Sequence, residues 1–161
     1  MEKFQEARQR AEHYIKIADH MLYVTYSLVK DDKLLISVLE NIFLALANSI
    51  ASVLYYERLF KRIPAFHDTF ESKLDIYKHK ISPRYNINKS YIALLNRVYE
   101  LVSEHKHSSV EFIRKGKFVI CSSDYRVKTV ELDELKEFVR KAKELIKLNN
   151  RMVEKNEYIF K

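Results

Sequence analysis

Residues 32–61 read DKLLISVLENIFLALANSIASVLYYERLFK, and this stretch decides the fold class. Its apolar residues recur every three or four positions along two neighbouring stripes, so they share the sides of a helix. A helix that is apolar on nearly all sides lies at the centre of a bundle or at an oligomer interface. Because 30 helical residues span about 45 Å, the pattern predicts an elongated antiparallel bundle.

Four further helices are predicted around this one. The first covers 2–29, a short one covers 69–80, and a fourth covers 88–106. Pro64 ends the central helix, since proline has no backbone amide to donate, and a second break is expected at 82–86, SPRYN. The last helix begins near Glu131. Its end is expected to fray from about Asn149 onward, so that residues 150–161 are not firmly helical.

The hydrophobic period changes before the last helix. Residues 117–121 (KFVIC) and 126–130 (RVKTV) are rich in β-branched residues and flank a four-residue turn. They predict a β-hairpin near 117–130, which must pack on helices because two strands alone are marginally stable. The predicted fold is therefore all-α: one domain over 1–161, with about five helices and an inserted hairpin.

Composition excludes several classes of site. One glycine rules out phosphate loops and dinucleotide-binding fingerprints, and one cysteine rules out a disulfide framework and cysteine-built zinc sites. Glu104-x-x-His107 has the spacing of a di-iron ligand pair, but the chain has no second such pair. No metal and no cofactor are expected. We also expect no membrane span and a cytoplasmic location, because no apolar run approaches about 20 residues.

The positive charge is concentrated in the middle of the chain. The net charge is +7, and residues 61–128 hold 14 Lys and Arg against 7 Asp and Glu. A local basic excess attracts a polyanion such as RNA or an acidic protein face, although lysines can also serve only for solubility. Asn41 and Asn48, seven apart in the central helix, are expected to bond each other or fix register; the alternative is a small polar site inside the bundle.

The order of elements resembles the HEPN superfamily of all-α bundles. The resemblance is carried by residues 40–48 (ENIFLALAN) in the central helix, by 105–112 (HKHSSVEF) before the hairpin, and by the stripe from Leu132 to Ile146. It implies RNA binding or RNA cleavage. Ribonucleases of that family use an Arg followed, after four to six residues, by a His near a dimer interface.

Two segments have the spacing of that ribonuclease pair, Arg8 to His13 and Arg62 to His67, but both lie outside the late helices that the family uses. Near the expected position, Arg97 and His105 are separated by seven residues. A non-catalytic module is therefore favoured, with a ribonuclease using Arg62, His67, Arg97 or His105 as the alternative. The expected binding site is a basic rim around the hairpin, and a homodimer is expected from the doubly apolar central helix. The basic rim consists of His105, Lys106, His107, Arg114, Lys115 and Lys117.

Overall fold

The computed structural model describes residues 1–107, 110–114, 117–121 and 127–154. Within these ranges the chain forms seven α-helices and one small sheet. Two pairs of helices are joined end to end by π-helical turns, so the bundle has five helical rods. The predicted all-α bundle with an inserted hairpin is confirmed. In chain order the elements are α1 (Lys3–His20), α2 (Tyr26–Val29), α3 (Leu34–Leu59), α4 (Phe70–Ile76), α5 (Ser82–Tyr85), α6 (Lys89–His107), β1 (Val110–Arg114), β2 (Lys117–Cys121), β3 (Val127–Glu131) and α7 (Leu132–Glu154).

Helix α3 is the centre of the bundle. It packs most extensively against α1 and α7, and also against α6 and α4. The predicted apolar stripe is buried, from Leu35 at one end to Val53 and Leu54 near the other. Because neighbours cover α3 on several sides, its apolar surface is largely used within one chain.

Helix α3 also has the length and composition of a membrane span, so the expectation of no membrane span stays a prediction. The mean hydropathy of its most apolar 18-residue window is 1.8, and half of that window is buried inside the fold. Core helices of soluble proteins reach the same values, so the helix is weak evidence for a membrane. The location of the protein stays a prediction.

Two of the rods continue through π-helical turns. Met21–Thr25 joins α1 to α2, and Tyr77–Ile81 joins α4 to α5. The break predicted at 82–86 comes at the end of that range, because α5 continues to Tyr85 and the chain leaves the helix at Asn86 before α6 begins at Lys89. Pro83 itself does not end the rod, since it directly follows the π-helical turn and lies in the first turn of α5.

The sheet is an antiparallel meander in the order β1-β2-β3. The predicted hairpin is its β2–β3 half, with Phe118 opposite Val130. The sequence analysis missed β1, which adds a third strand on the other edge of β2. Ile120 and Val130 are buried in the main core, so the sheet packs on the helices as expected. The predicted turn at 122–125 lies outside the described residues.

The last helix extends past Asn149, where fraying was expected to begin. Helix α7 continues to Glu154, and the Asn149 side chain is fully buried. It accepts a hydrogen bond from the Tyr77 hydroxyl at 2.7 Å and donates one to Ser49 Oγ at 2.9 Å. This buried polar bridge joins α7 to the π-helical turn and to α3. Residues 155–161 lie outside the described ranges.

Asn41 and Asn48 do not bond each other as predicted. Each side-chain amide donates to a carbonyl one turn back in α3, Ser37 for Asn41 and Leu44 for Asn48, both at 2.8 Å. Such local bonds satisfy the amides without a partner helix.

Candidate functional site

Helix α3 ends in a Schellman motif that brings Arg62 next to Glu57. Lys61 has φ 54°, in the left-handed region. Its amide donates to the Arg58 carbonyl, and the Arg62 amide donates to the Glu57 carbonyl, both at 3.0 Å. These two bonds define the motif, which usually adds a hydrophobic contact between its ends. Here the contact is ionic: Arg62 Nη1 lies 3.4 Å from Glu57 Oε2.

A second helix end meets the first. Asn86, with φ 52°, ends α5 in the left-handed conformation that asparagine adopts more readily than most residues. Both residues before it contact Glu57. Arg84 Nη1 lies 3.0 Å from Glu57 Oε2, and the Tyr85 hydroxyl donates to Oε1. We call Glu57, Arg62, Arg84 and Tyr85 the Glu57 cluster, and its two cations the arginine pair.

Burial and charge differ sharply within the cluster. The side chain of Glu57 is 0% exposed, whereas those of Arg62 and Arg84 are 41% and 39% exposed. A buried carboxylate costs several kcal/mol unless it is paired and hydrogen-bonded, and three donors meet that need here. One buried negative charge thus holds two partly exposed positive charges, leaving a net charge of +1 at the surface.

Further contacts hold the arginine pair in place. Arg84 Nη2 donates to the Arg62 carbonyl at 3.3 Å, and the Arg62 guanidinium lies 4.8 Å from the centre of the Phe60 ring. Arg58 Nη1 donates to the Ile63 carbonyl at 3.3 Å, which fixes the chain just after the helix end. The guanidinium groups are therefore preorganised, and their remaining N–H donors are available to an anion.

The cluster is built for binding rather than for proton transfer. Burial, together with the hydrogen bond to Glu57, raises the pKa of Tyr85 to about 12. The phenol is therefore protonated at neutral pH and donates a hydrogen bond to Glu57 without giving up its proton. Guanidinium groups hold their protons at all physiological pH values. The arrangement offers a ligand two fixed positive charges and N–H donors of fixed direction. These are the groups that recognise phosphate and carboxylate.

The described part of the basic rim is largely paired with carboxylates. His105 Nε2 lies 3.2 Å from Glu40 Oε1, and Lys117 Nζ lies 3.1 Å from Glu131 Oε1. Nearby, Lys128 contacts Glu100 and Glu104, and Arg97 contacts Glu134. Lys106 is exposed. The carboxylates reduce the positive potential of this face.

Three rim residues are described incompletely or not at all. His107 ends α6 and Arg114 ends β1, but their side chains lie outside the described part of the structure, as does all of Lys115. The rim as a whole remains a prediction.

The candidate ribonuclease residues make separate contacts. Arg62 belongs to the Glu57 cluster, while His67 is exposed and its amide donates to Ser72 Oγ. Arg97 and His105 lie about 12 Å apart along the axis of α6 and contact different carboxylates. Arg8 pairs with Glu154, and His13 packs against Tyr14.

Among the described residues, no three His, Cys, Asp or Glu side chains gather where they could hold a metal ion. Searches against protein-family models, curated proteins and solved structures find no match to this chain. The resemblance to the HEPN superfamily therefore stays a prediction, and function has to be argued from the chain's own geometry.

The sequence analysis missed Glu57 and Arg84. A signal for Glu57 was present, because it continues the apolar stripe of α3 four residues after Val53. A carboxylate on a core stripe requires a buried cationic or hydrogen-bonding partner. The identity of that partner had no local signal, since Arg84 lies 27 positions along the chain.

Proposed function

We propose that the protein is a non-catalytic RNA-binding module and that its arginine pair contacts the phosphate backbone. The observation that carries the proposal is the Glu57 cluster, in which a fully buried carboxylate orients two arginines that are each about two-fifths exposed. Guanidinium groups held in this way bind phosphate oxygens without first losing side-chain freedom.

The charge of the chain supports the same proposal. Arg62 and Arg84 belong to the segment 61–128, which holds all of the net positive charge. Exposed Lys61 and Lys89 follow the two helix ends closely in sequence, and Arg151 lines a cavity together with Tyr85. A positive surface of this kind attracts RNA at long range, and the fixed guanidinium donors then make the short-range contacts.

The test is equilibrium binding of a fluorescent single-stranded RNA of about 12 nucleotides. We expect Arg62→Ala and Arg84→Ala each to weaken binding by about tenfold, because each removes charge-assisted hydrogen bonds to phosphate. The conservative variants Arg62→Lys and Arg84→Lys retain the charge and should lose less. Since Arg84→Ala also removes one partner of a buried carboxylate, thermal unfolding has to show that each variant is folded.

Lys143→Ala is the control. Lys143 is also a partly exposed cation paired with a carboxylate, with Nζ 2.6 Å from Asp19 Oδ1, but it lies outside the cluster. Its loss should leave RNA affinity unchanged. Equal affinity of wild type and both arginine-pair variants would contradict the proposal, and capture of an acidic protein without RNA binding would favour the other partner class.

The same RNA samples distinguish binding from cleavage. A binding module leaves the RNA intact after long incubation. Cleavage that is lost in His67→Ala or His105→Ala would overturn the non-catalytic proposal and establish the ribonuclease alternative.

A further inference from the structure

A cavity of about 340 Å³ opens beside the Glu57 cluster. Its walls come from the connection between α5 and α6 and from the end of α7. This volume lies at the lower end of the range of small-molecule sites in proteins. The residues that line it include Tyr85, Asn86, Asn88, Tyr91, Arg151 and Met152.

One side chain belongs to both the cavity and the cluster. The Tyr85 hydroxyl donates to the buried Glu57, while Tyr85 also lines the cavity. Arg84 immediately precedes it and carries one of the two guanidinium groups. Neither arginine of the pair lines the cavity, so the cavity and the arginine pair are neighbouring features joined through Tyr85 and Glu57.

The lining offers aromatic and apolar groups together with a few polar ones. Tyr85 and Tyr91 are half-buried, and Met152 adds a polarisable thioether. The Tyr91 hydroxyl donates to Glu144 at 3.0 Å, which anchors the side chain from outside the cavity. Asn86 and Asn88 supply amide groups, and Asn88 Oδ1 already accepts the Ser90 amide at 2.8 Å.

We infer that this cavity takes one unstacked base of a single RNA strand whose phosphates lie on the arginine pair. A nucleobase has flat faces that pack on aromatic rings and an edge that bonds amides. Bases in a duplex are stacked and paired, so they do not reach such a cavity. The inference rests on the proposed RNA binding and adds that the ligand is single-stranded.

The experiment compares single-stranded and duplex RNA of equal length with the full chain. The single strand carries 2-aminopurine at a central position, whose fluorescence reports unstacking. We expect wild type to bind the single strand about tenfold more tightly than the duplex and to change the 2-aminopurine signal. Tyr91→Leu should weaken single-strand binding by about tenfold and leave duplex binding unchanged.

A second variant tests the cavity in case Tyr91→Leu does not fold. Asn86→Gly keeps the left-handed helix end, which glycine adopts freely, and removes one amide from the cavity. It should weaken single-strand binding about threefold, because the loss of a neutral hydrogen bond costs less affinity than the loss of a charge-assisted one. Tyr23→Leu, at an exposed tyrosine outside the cavity, is the control and should change nothing.

The outcomes separate this inference from the proposed function. Equal binding of single strand and duplex, with Arg62→Ala weakening both, would overturn the base site and leave the phosphate site standing. Unchanged binding by folded Tyr91→Leu and Asn86→Gly would overturn it as well. Failure to bind either RNA would contradict both proposals.

Discussion

At the scale of single residues, Glu57 carries the main energetic cost of the site. Its carboxylate is removed from water and depends on Arg62, Arg84 and Tyr85 for compensation. Buried pairs of this kind add little net stability when complete, but breaking one is expensive because a charge is left uncompensated. The cluster is thus better explained as a device that fixes two arginines than as a source of stability.

Replacing Glu57 by glutamine tests whether the buried carboxylate is paired with the two arginines. Glu57→Gln keeps the shape of the side chain but leaves the arginine pair without its counter-charge. We expect the free energy of unfolding to fall by about 1–3 kcal/mol, measured by urea denaturation. The control Glu137→Gln, at an exposed carboxylate that contacts Arg140, should leave the denaturation midpoint unchanged. A Glu57→Gln variant as stable as wild type would contradict the pairing of Glu57 with the arginine pair.

Tyr85 makes stability depend on pH in the alkaline range. Its pKa is raised from about 10 to about 12, so its phenol keeps a proton in the folded chain that it loses when unfolded. Above about pH 10 the unfolded state binds fewer protons than the native state, and stability therefore falls as pH rises to about 12. Tyr85→Phe should show a smaller fall than wild type over this window in denaturation experiments. An equal fall in the stability of wild type and Tyr85→Phe would contradict the assignment of this pH dependence to Tyr85.

At the scale of elements, the buried bridge from Tyr77 through Asn149 to Ser49 fixes how α7 lies on α3. Asn149→Ala leaves the Tyr77 and Ser49 hydroxyls without this partner, so we expect a loss of about 2–4 kcal/mol in the free energy of unfolding. The neighbouring Asn150 bonds only the exposed Glu12 in the described structure, and Asn150→Ala should cost less than about 0.5 kcal/mol. Equal effects of the two substitutions in urea denaturation would show that the bridge is not formed.

The elements that periodicity predicts well are those with a continuous apolar stripe. The stripe of α3, from Leu35 to Leu54, is buried as expected. The course of the chain around Pro83 could not be predicted, because whether proline breaks a helix or begins its first turn depends on tertiary packing. Strand β1 was missed although it is as long as β2 and β3, because the hairpin was predicted from the turn that separates those two strands.

The candidate site was harder to predict than the fold. Lys61 takes a left-handed conformation for which glycine is the usual sequence signal, so the helix end beside Arg62 had no recognisable marker. The pairing of Glu57 with Arg84 depends on two helix ends meeting in space. The positive middle segment was visible from composition, but its sequence does not reveal which cations the carboxylates of other segments neutralise.

At the scale of the whole molecule, the homodimer stays a prediction, but the apolar surface that suggests it is a different one. Helix α3, which suggested the dimer, is covered by neighbouring helices of the same chain. The described residues instead expose an apolar group at the end of the first rod, where Leu28 is 80% and Val29 is 63% exposed. If this group forms the dimer contact, Leu28→Glu should convert a dimer to a monomer in sedimentation at micromolar concentration. A wild-type monomer would contradict the dimer.

Charge pairing divides the positive segment into two surfaces. Around the sheet, Lys117 and Lys128 lie against carboxylates. At the Glu57 cluster, in contrast, two arginines share the single buried Glu57. Solvent-exposed pairs screen each other at short range. Among the described residues, the larger net positive potential is therefore expected at the Glu57 cluster.

The salt dependence of RNA binding tests the central claim most directly. Each phosphate contact in a single strand contributes about −0.7 to the slope of log affinity against log salt concentration. Arg62→Ala should make the slope shallower by about 0.7, Arg62→Lys should retain it, and the double rim variant Lys106→Ala/Lys117→Ala should leave it unchanged. A slope that responds to the rim variant but not to Arg62→Ala would contradict the assignment of RNA binding to the arginine pair.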